Sequence, residues 1–583
     1  MTSEAWLSAL KGRSDLTRYG NNAVLLFALE IHQDIDDIQL VANDALTDGR
    51  SDKKCDLVYV NAERGKIIIA QGYWSQRDRP SAQANKASDL NTAVTWLLSG
   101  DLGDMPENLS NAAEQVRESI NSNYISSIDL WYVHNLPESK DVSRELERVE
   151  VTCNSIIKSH FSNARIDNIC GREVGNETLG NWYRGTKAPI LVNEKLEIET
   201  AGGYTSQGGD WSAYSTSVEV SWLKSLFEKH GRDLFSANVR DYLGSRSSTK
   251  NINDNIKRTA KEHPDMFWVY NNGITVLVHD FRIVSQENSN TLEIDGVAVV
   301  NGAQTTGALG TISIADIKDA KVAARFVKCS DPATIKNIIR FNNSQNKVEA
   351  ADFRSNDAVQ TRLRGEFEGL SNVYYSGGRR GGEDDAIRRT RNVLSSHTVG
   401  QALTAFHGDP GTAYNQKSEI WGSDRLYNHV FNEKTTAKHV LFVYSLLQAI
   451  QERQEEFRNR VEKRDNLTDA DQRQYDFLRL RGSSFLLISV MAASLQEVCG
   501  AQIPDKFKLA FSSNTNIDDA ANHWKKLITV MLPLSGELKT VLARGNLKNK
   551  QMVENVSEKF GDLLKSQAYL HAEKFAEFNR QLD

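Results

Sequence analysis

Gly296-Val297-Ala298-Val299-Val300-Asn301-Gly302-Ala303-Gln304-Thr305-Thr306 is the stretch that decides the fold. Its first five residues form a short apolar run without alternation, the pattern of a strand buried on both faces. Asn301-Gly302 then predicts a sharp turn, and Gln304-Thr305-Thr306 the start of a helix, whose free backbone N–H groups attract anions. Thr305 and Thr306 are placed to cap that helix or to touch a phosphate. Two more amide-rich segments flank this one, Asn271-Asn272-Gly273-Ile274-Thr275 and Asn342-Asn343-Ser344-Gln345-Asn346. Amide side chains both donate and accept hydrogen bonds. Asn271, Asn272, Asn301, Gln304, Thr305, Asn343 and Gln345 therefore form a candidate ligand-binding set that adds no net charge. Asn also favours turns, so a group of turns joined by a buried amide network is the plainer reading.

Outward from this stretch, strands and helices alternate between residues 217 and 391. Phe267–Tyr270, Ile274–Val278, Gly296–Val300 and Ala323–Val327 read as strands, and Ala333–Arg340 and Asp352–Glu368 as helices. Further toward the N-terminus, residues 1–40 read as helical. Leu57–Val60 and Ile67–Ala70 flank the turn Asn61-Ala62-Glu63-Arg64-Gly65, a hairpin signal. A helical stretch over residues 81–123, a strand at Asp129–Val133 and a helix over residues 141–159 follow. Residues 175–215 are polar, rich in Gly, Thr and Trp, and read as irregular or β without assignable elements. The last part of the chain is helical by periodicity, including His439–Glu462, Asp469–Arg481 and Lys559–Arg580.

The 583 residues exceed what one core can organise. Hydrophobic residues make up 40% and charged residues 25%, ordinary for a globular protein. The net charge of -6 gives no overall basic character, although a local groove can still be basic. Five scattered cysteines without a C-x-x-C pair argue against a zinc ribbon or a disulfide framework. No H-x-x-x-H spacing and no G-x-x-x-x-G-K-[ST] loop is present. No apolar run reaches the roughly 18 residues of a membrane span, and Phe485–Ala493 reads as a buried helix. The expectation is a soluble, cytoplasmic protein that does not engage a membrane.

The order of the motifs resembles a family. Asn238-Val239-Arg240-Asp241-Tyr242-Leu243-Gly244, Asn271-Asn272-Gly273-Ile274-Thr275, Val300-Asn301-Gly302-Ala303-Gln304-Thr305 and Phe341-Asn342-Asn343-Ser344-Gln345-Asn346 occur as in AIPR proteins, the abortive infection phage resistance proteins of bacteria. The resemblance is strong over residues 220–410 and implies a role in defence against phage. Asn238 and Arg240 join the ligand-binding candidates. Arg240 can grip phosphate or carboxylate in bidentate fashion, or tie a helix end to the amide network. Ser376-Gly377-Gly378-Arg379-Arg380-Gly381-Gly382 adds a glycine-bracketed basic loop in which Arg379 and Arg380 suit phosphate oxygens. An exposed loop with self-compensating charge is the alternative there.

Many members of the family resemble PD-(D/E)xK nucleases at their N-terminal end, a chemistry that needs carboxylates around Mg2+ and a lysine near the attacking water. A symmetric hairpin centred between Glu63 and Arg64 places Asp56 opposite Gln71, with Cα atoms roughly 5 Å apart. Asp56, Gln71 and, from the preceding helix, Glu30 are the candidate metal ligands and catalytic residues. Where the family pattern calls for lysine this chain has Tyr73, and a phenol supplies no cation. Lys66 lies at the wrong end of the hairpin, and Lys86 on the following helix is the candidate migrated lysine.

The chain thus reads as a mixed α/β, multidomain protein. A restriction-endonuclease-like domain is expected over residues 1–125, an α/β extension over 126–216, an AIPR core over 217–410 and a helical domain over 411–583. Two functions stand side by side. One is a Mg2+-dependent nuclease in antiphage defence. The other is a non-catalytic sensor that binds nucleic acid, a nucleotide or a phage protein on a degenerate nuclease fold. Nucleic acid, DNA first, or a phage component is the expected partner, with self-association through the helical region.

Overall fold

The computed structural model describes residues 3–583 apart from 34, 36, 48–51, 186–189, 191, 232–233, 236–255, 287–288, 311, 313–319, 332–333, 336, 340–341, 343–353, 355–356, 371–372, 376–391, 464, 466 and 513–514. Two larger sheets, a short parallel pair at Tyr374–Tyr375 and Val393–Leu394, and a large helical region organise the described chain.

The first sheet has strand order β1-β2-β3-β4, with β1 Leu57–Asn61, β2 Lys66–Tyr73, β3 Ser127–His134 and β4 Asn168–Val174. The β1–β2 pair is antiparallel, and β3 and β4 join in parallel. Parallel neighbours need long crossovers. Here they are supplied by the helices Leu90–Ser99 and Glu107–Asn121, and by the helix Lys140–His160. Both faces of the sheet are covered. Ile67, Ile69, Leu130 and Tyr132 pack under the crossover helices. Ile68, Ala70, Trp131 and Val133 pack under Ala23–Gln33, whose Leu25 fills the space over Gly72.

Buried on that second face, Lys66 Nζ stands 3.0 Å from Asp129 of the neighbouring strand, at 4% and 1% side-chain exposure. A buried pair of this kind contributes little net stability, but breaking it is costly, and it holds Lys66 away from the other end of the hairpin.

The central sheet has seven strands. They are β5 Val192–Thr200, β6 Gly203–Gln207, β7 Trp211–Glu219, β8 Ile274–Val278, β9 Asp280–Gln286, β10 Ser289–Asn301 and β11 Lys321–Cys329. The order is β5-β10-β8-β11-β7-β6, with β9 also on β10, and only β8–β11 is parallel. The apolar run Val297–Val300 lies in β10 and is buried on both faces. Val297 and Val299 enter one core and Ala298 and Val300 the other. The sheets cut across the divisions expected from sequence. The first sheet continues beyond residue 125, and β5, β6 and β7 from the unreadable stretch belong to the central one.

Three segments differ from the sequence reading, the first being the helical stretch over residues 81–123, which is broken into Ala84–Ser88, Leu90–Ser99 and Glu107–Asn121. Phe267–Tyr270 is a single helical turn rather than a strand. Pro264 opens a tight turn just before it. Phe267 anchors in the core while Trp268, Val269 and Tyr270 face outward, so no ladder forms. Lys559–Arg580 is split between the helices Lys550–Ser566 and Ala572–Asn579, with a tight turn at Ala568–His571. Residues 354 and 358–368 of the expected Asp352–Glu368 helix are helical, as are 334–335 and 337–339 of the preceding one.

Ser483–Ala493 is buried from Ser483 to Ala492, as expected of a buried helix, and sits amid Ala437–Glu462 and the other C-terminal helices. This helical region grips the hairpin of the first sheet. Arg481, 6% exposed, donates to Val58 O on edge strand β1 and to Gln115 Oε1, while its N–H donates to Asn111 Oδ1 at 2.9 Å. At the hairpin tip, Ser418 N and Oγ donate to Glu63 at 2.8 and 2.7 Å. Burial pushes the Asp44 carboxyl up to about 7, against the pull of Arg481 and a hydrogen bond with Tyr414. No described helix is long and apolar enough to cross a membrane.

Candidate functional site

The amide segments meet at one end of the central sheet. β10 ends at Asn301, which pairs with Thr275 on β8, and Thr275 pairs with Arg325 on β11. The row continues through Ser215 on β7 to Tyr204 on β6. Period-two alternation puts this row on the face carrying Leu277, Ala298 and Val327, beyond the point where Ile335, Ile338 and Ile339 cover it. Arg325 ties the segments together. Its Nη2 donates to Thr275 Oγ1 at 3.1 Å and to Asn342 Oδ1 at 2.9 Å. No carboxylate pairs with it among the described residues. Asn271 Nδ2 reaches Thr305 Oγ1 at 3.4 Å, joining the first segment to the second.

Two glycines make this convergence possible. Gly302, between β10 and the helix Ala303–Gly310, has φ +91°, and an added Cβ would lie 2.5 Å from Ile274 Cγ2. Gly273, with φ +79°, accepts no Cβ either, because Ala323 O would be 2.5 Å away. Its N–H donates to Asn271 Oδ1 at 3.0 Å, fixing the turn. Gly302→Ala and Gly273→Ala are each expected to lower stability by about 1–3 kcal/mol. A thermal melt would register this as a lower Tm, and an unchanged Tm would contradict the assignment.

Several candidates take definite places. Asn301 ends β10, Asn271 and Thr305 bond each other, and Asn272 is exposed in the turn. Gln304 lies on the helix Ala303–Gly310. Thr306 turns inward, its Oγ1 donating to Gly302 O at 2.9 Å. Asn238, Arg240, Asn343, Gln345, Arg379 and Arg380 lie outside the described residues. Arg325 was not a sequence candidate. A single arginine in a strand carries no local signal, and only the three-strand pairing reveals what it touches.

The hairpin has the register expected of it: Leu57 pairs with Ala70 and Asn61 with Lys66, which sets Asp56 opposite Gln71. Strand β2 runs on through Tyr73, three residues beyond the Ile67–Ala70 read from sequence. Asp56 Oδ2 accepts from Gly72 N–H at 2.8 Å. Gln71 pairs with Tyr132, and Tyr132 with Glu173, so one row crosses β2, β3 and β4 and meets Asp56 just before β1. Gln71 Oε1 and Tyr132 Oη are buried without a hydrogen-bond partner among the described residues. Burial, with Tyr73 and Glu173 nearby, pushes the Tyr132 phenol well above its ordinary value. Glu173 is engaged by His134 Nε2 at 3.1 Å and by Ser139 N–H at 3.0 Å.

These residues do not fit a magnesium ion, which binds through hard, largely anionic oxygens in near-octahedral order. Glu30 is not part of the row. Its helix packs on the opposite face of the sheet, and its carboxylate is held by Arg13 at 2.9 and 3.0 Å. Gln71 is neutral. Lys86 stands on the side of Gln71, 3.8 Å from Asp89. Among the described residues no group of three or more His, Cys, Asp or Glu side chains is arranged to hold a metal.

No curated protein and no solved structure gave a match. The AIPR protein family does match, over residues 235–567, which include β8 to β11, the amide turns and most of the helical region. With the motifs in order and the match covering more than half of the chain, this protein belongs to the AIPR family.

Proposed function

We propose that this chain, whose family implies a part in abortive-infection defence against phage, acts by gripping nucleic acid at the amide turns of the central sheet. The observation that carries this reading is Arg325, held by the neutral Thr275 and Asn342 and paired with no carboxylate among the described residues. A guanidinium fixed by neutral groups keeps its charge for a phosphate, and the surrounding amides can contact base edges or sugars. The N-terminal layer is read as a restriction-endonuclease-like fold whose metal site is degenerate. Support for that reading is the Asp56–Gln71 register combined with Tyr73 in place of lysine and Glu30 bound to Arg13.

The test measures binding of DNA and RNA oligonucleotides to the full chain over a range of salt concentrations. Binding that weakens steadily with salt supports phosphate contacts. No binding to any oligonucleotide removes the proposal. Alongside it, Asn301→Ala is expected to abolish protection in a phage plating assay, and full protection would reduce the amides to structural turns. Wild type and Asp56→Ala are expected to be equally unable to cleave DNA or RNA with Mg2+ or Mn2+. Cleavage by wild type alone would restore the nuclease reading.

A further inference from the structure

The turn Phe267–Tyr270 leads directly into the amide site, with Asn271 as the next residue. Phe267 is buried at 1% exposure and pins the turn to the core. The three residues after it point outward, Trp268 at 49%, Val269 at 62% and Tyr270 at 63% exposure. Three consecutive exposed apolar side chains, two of them large aromatics, are not needed to build the fold and mark a contact surface. Gly273 packs against Ala323, which holds the turn at the edge of β11, the strand that carries Arg325. On the far side of the Asn301–Thr275–Arg325–Ser215 row stands Tyr204, 67% exposed. The sheet end therefore carries exposed aromatic rings, Trp268 and Tyr270 on the turn and Tyr204 on β6, together with a guanidinium that has no carboxylate partner among the described residues.

We infer that this surface takes single-stranded nucleic acid, with unpaired bases stacking on Trp268 and Tyr270 while Arg325 holds the backbone phosphate. In a duplex the base faces are already stacked and only edges and phosphates are offered, so exposed rings gain nothing there. In a single strand every base has a free face, and stacking on aromatic residues is tolerant of sequence. Rings, guanidinium and amides together match that ligand. A protein partner would instead be expected to bring carboxylates to Arg325. This inference rests on the nucleic-acid reading above and adds strandedness and two residues to it.

The experiment compares the full-length wild type with Trp268→Ala, Tyr270→Ala and Trp268→Phe, titrated against a short mixed-sequence strand and its duplex in DNA and RNA form. Because both side chains are exposed, melting temperatures should not change, which separates binding effects from misfolding. Wild type is expected to prefer the single strand. Each alanine variant should bind the single strand about tenfold more weakly, with duplex affinity unchanged and Trp268→Phe close to wild type. Equal affinity for strand and duplex, unaltered in the alanine variants, overturns the stacking inference and leaves nucleic-acid binding standing. If wild type binds neither form, the underlying reading falls as well.

Discussion

Arg481→Ala is expected to lower the stability of the contact between the first sheet and the helical region by about 3–5 kcal/mol. Arg481 is nearly fully buried, and its guanidinium serves Val58 O and Gln115 Oε1. Truncation leaves those acceptors unsatisfied and removes the cation that opposes the burial of Asp44. Limited proteolysis should then release the first 180 or so residues earlier than in wild type, a milder outcome of what loses its docking contacts. An unchanged digestion pattern would show that the other contacts suffice.

Asp44 adds a pH signature. Its folded carboxyl titrates at about 7, whereas an unfolded aspartate does so at about 3.9. The folded state thus binds the proton more tightly. This contribution to stability is complete below about pH 4 and is lost as pH rises through about 7. Asp44→Asn should flatten that part of the stability profile, as followed by melts across the range.

Arg325→Ala is expected to weaken oligonucleotide binding by about 10- to 100-fold, the scale of a lost charge-assisted hydrogen bond. The logarithmic salt slope should also fall by about one. Both effects follow from the pairing of Arg325 with neutral groups only among the described residues. If the guanidinium merely braces Thr275 and Asn342, the variant will melt earlier while the salt slope of any binding stays the same. Arg325→Lys keeps the charge but loses the fork that spans two oxygen acceptors, and it should recover the slope more than the affinity.

What the sequence made legible followed from local chemistry. The run Val297–Val300 is apolar throughout, so burial on both faces could be read directly. The β1–β2 register followed from the symmetry of a short hairpin, down to Asp56 opposite Gln71. Phe267–Tyr270 reads as a strand because its residues favour strands, while the turn is set by Pro264 and the burial of Phe267. Strands β5 to β7 could not be placed within a stretch read only as irregular or β, because polar residues such as Glu197, Glu199 and Thr205 occupy exposed positions and blur the alternation. At the hairpin, the missing lysine was visible in sequence. The capture of Glu30 by Arg13 was not, since it depends on how two helices pack.

The pairing of the central sheet also bears on how the chain can be divided. β5 lies along β10 and β7 along β11, yet both precede residue 235, where the family match begins. A fragment cut at that boundary would strip neighbours from two long strands at once and bare their N–H and C=O groups. Open edges of that kind recruit other chains. Such a fragment would be expected to clump, whereas one beginning before Val192 would keep its edges capped.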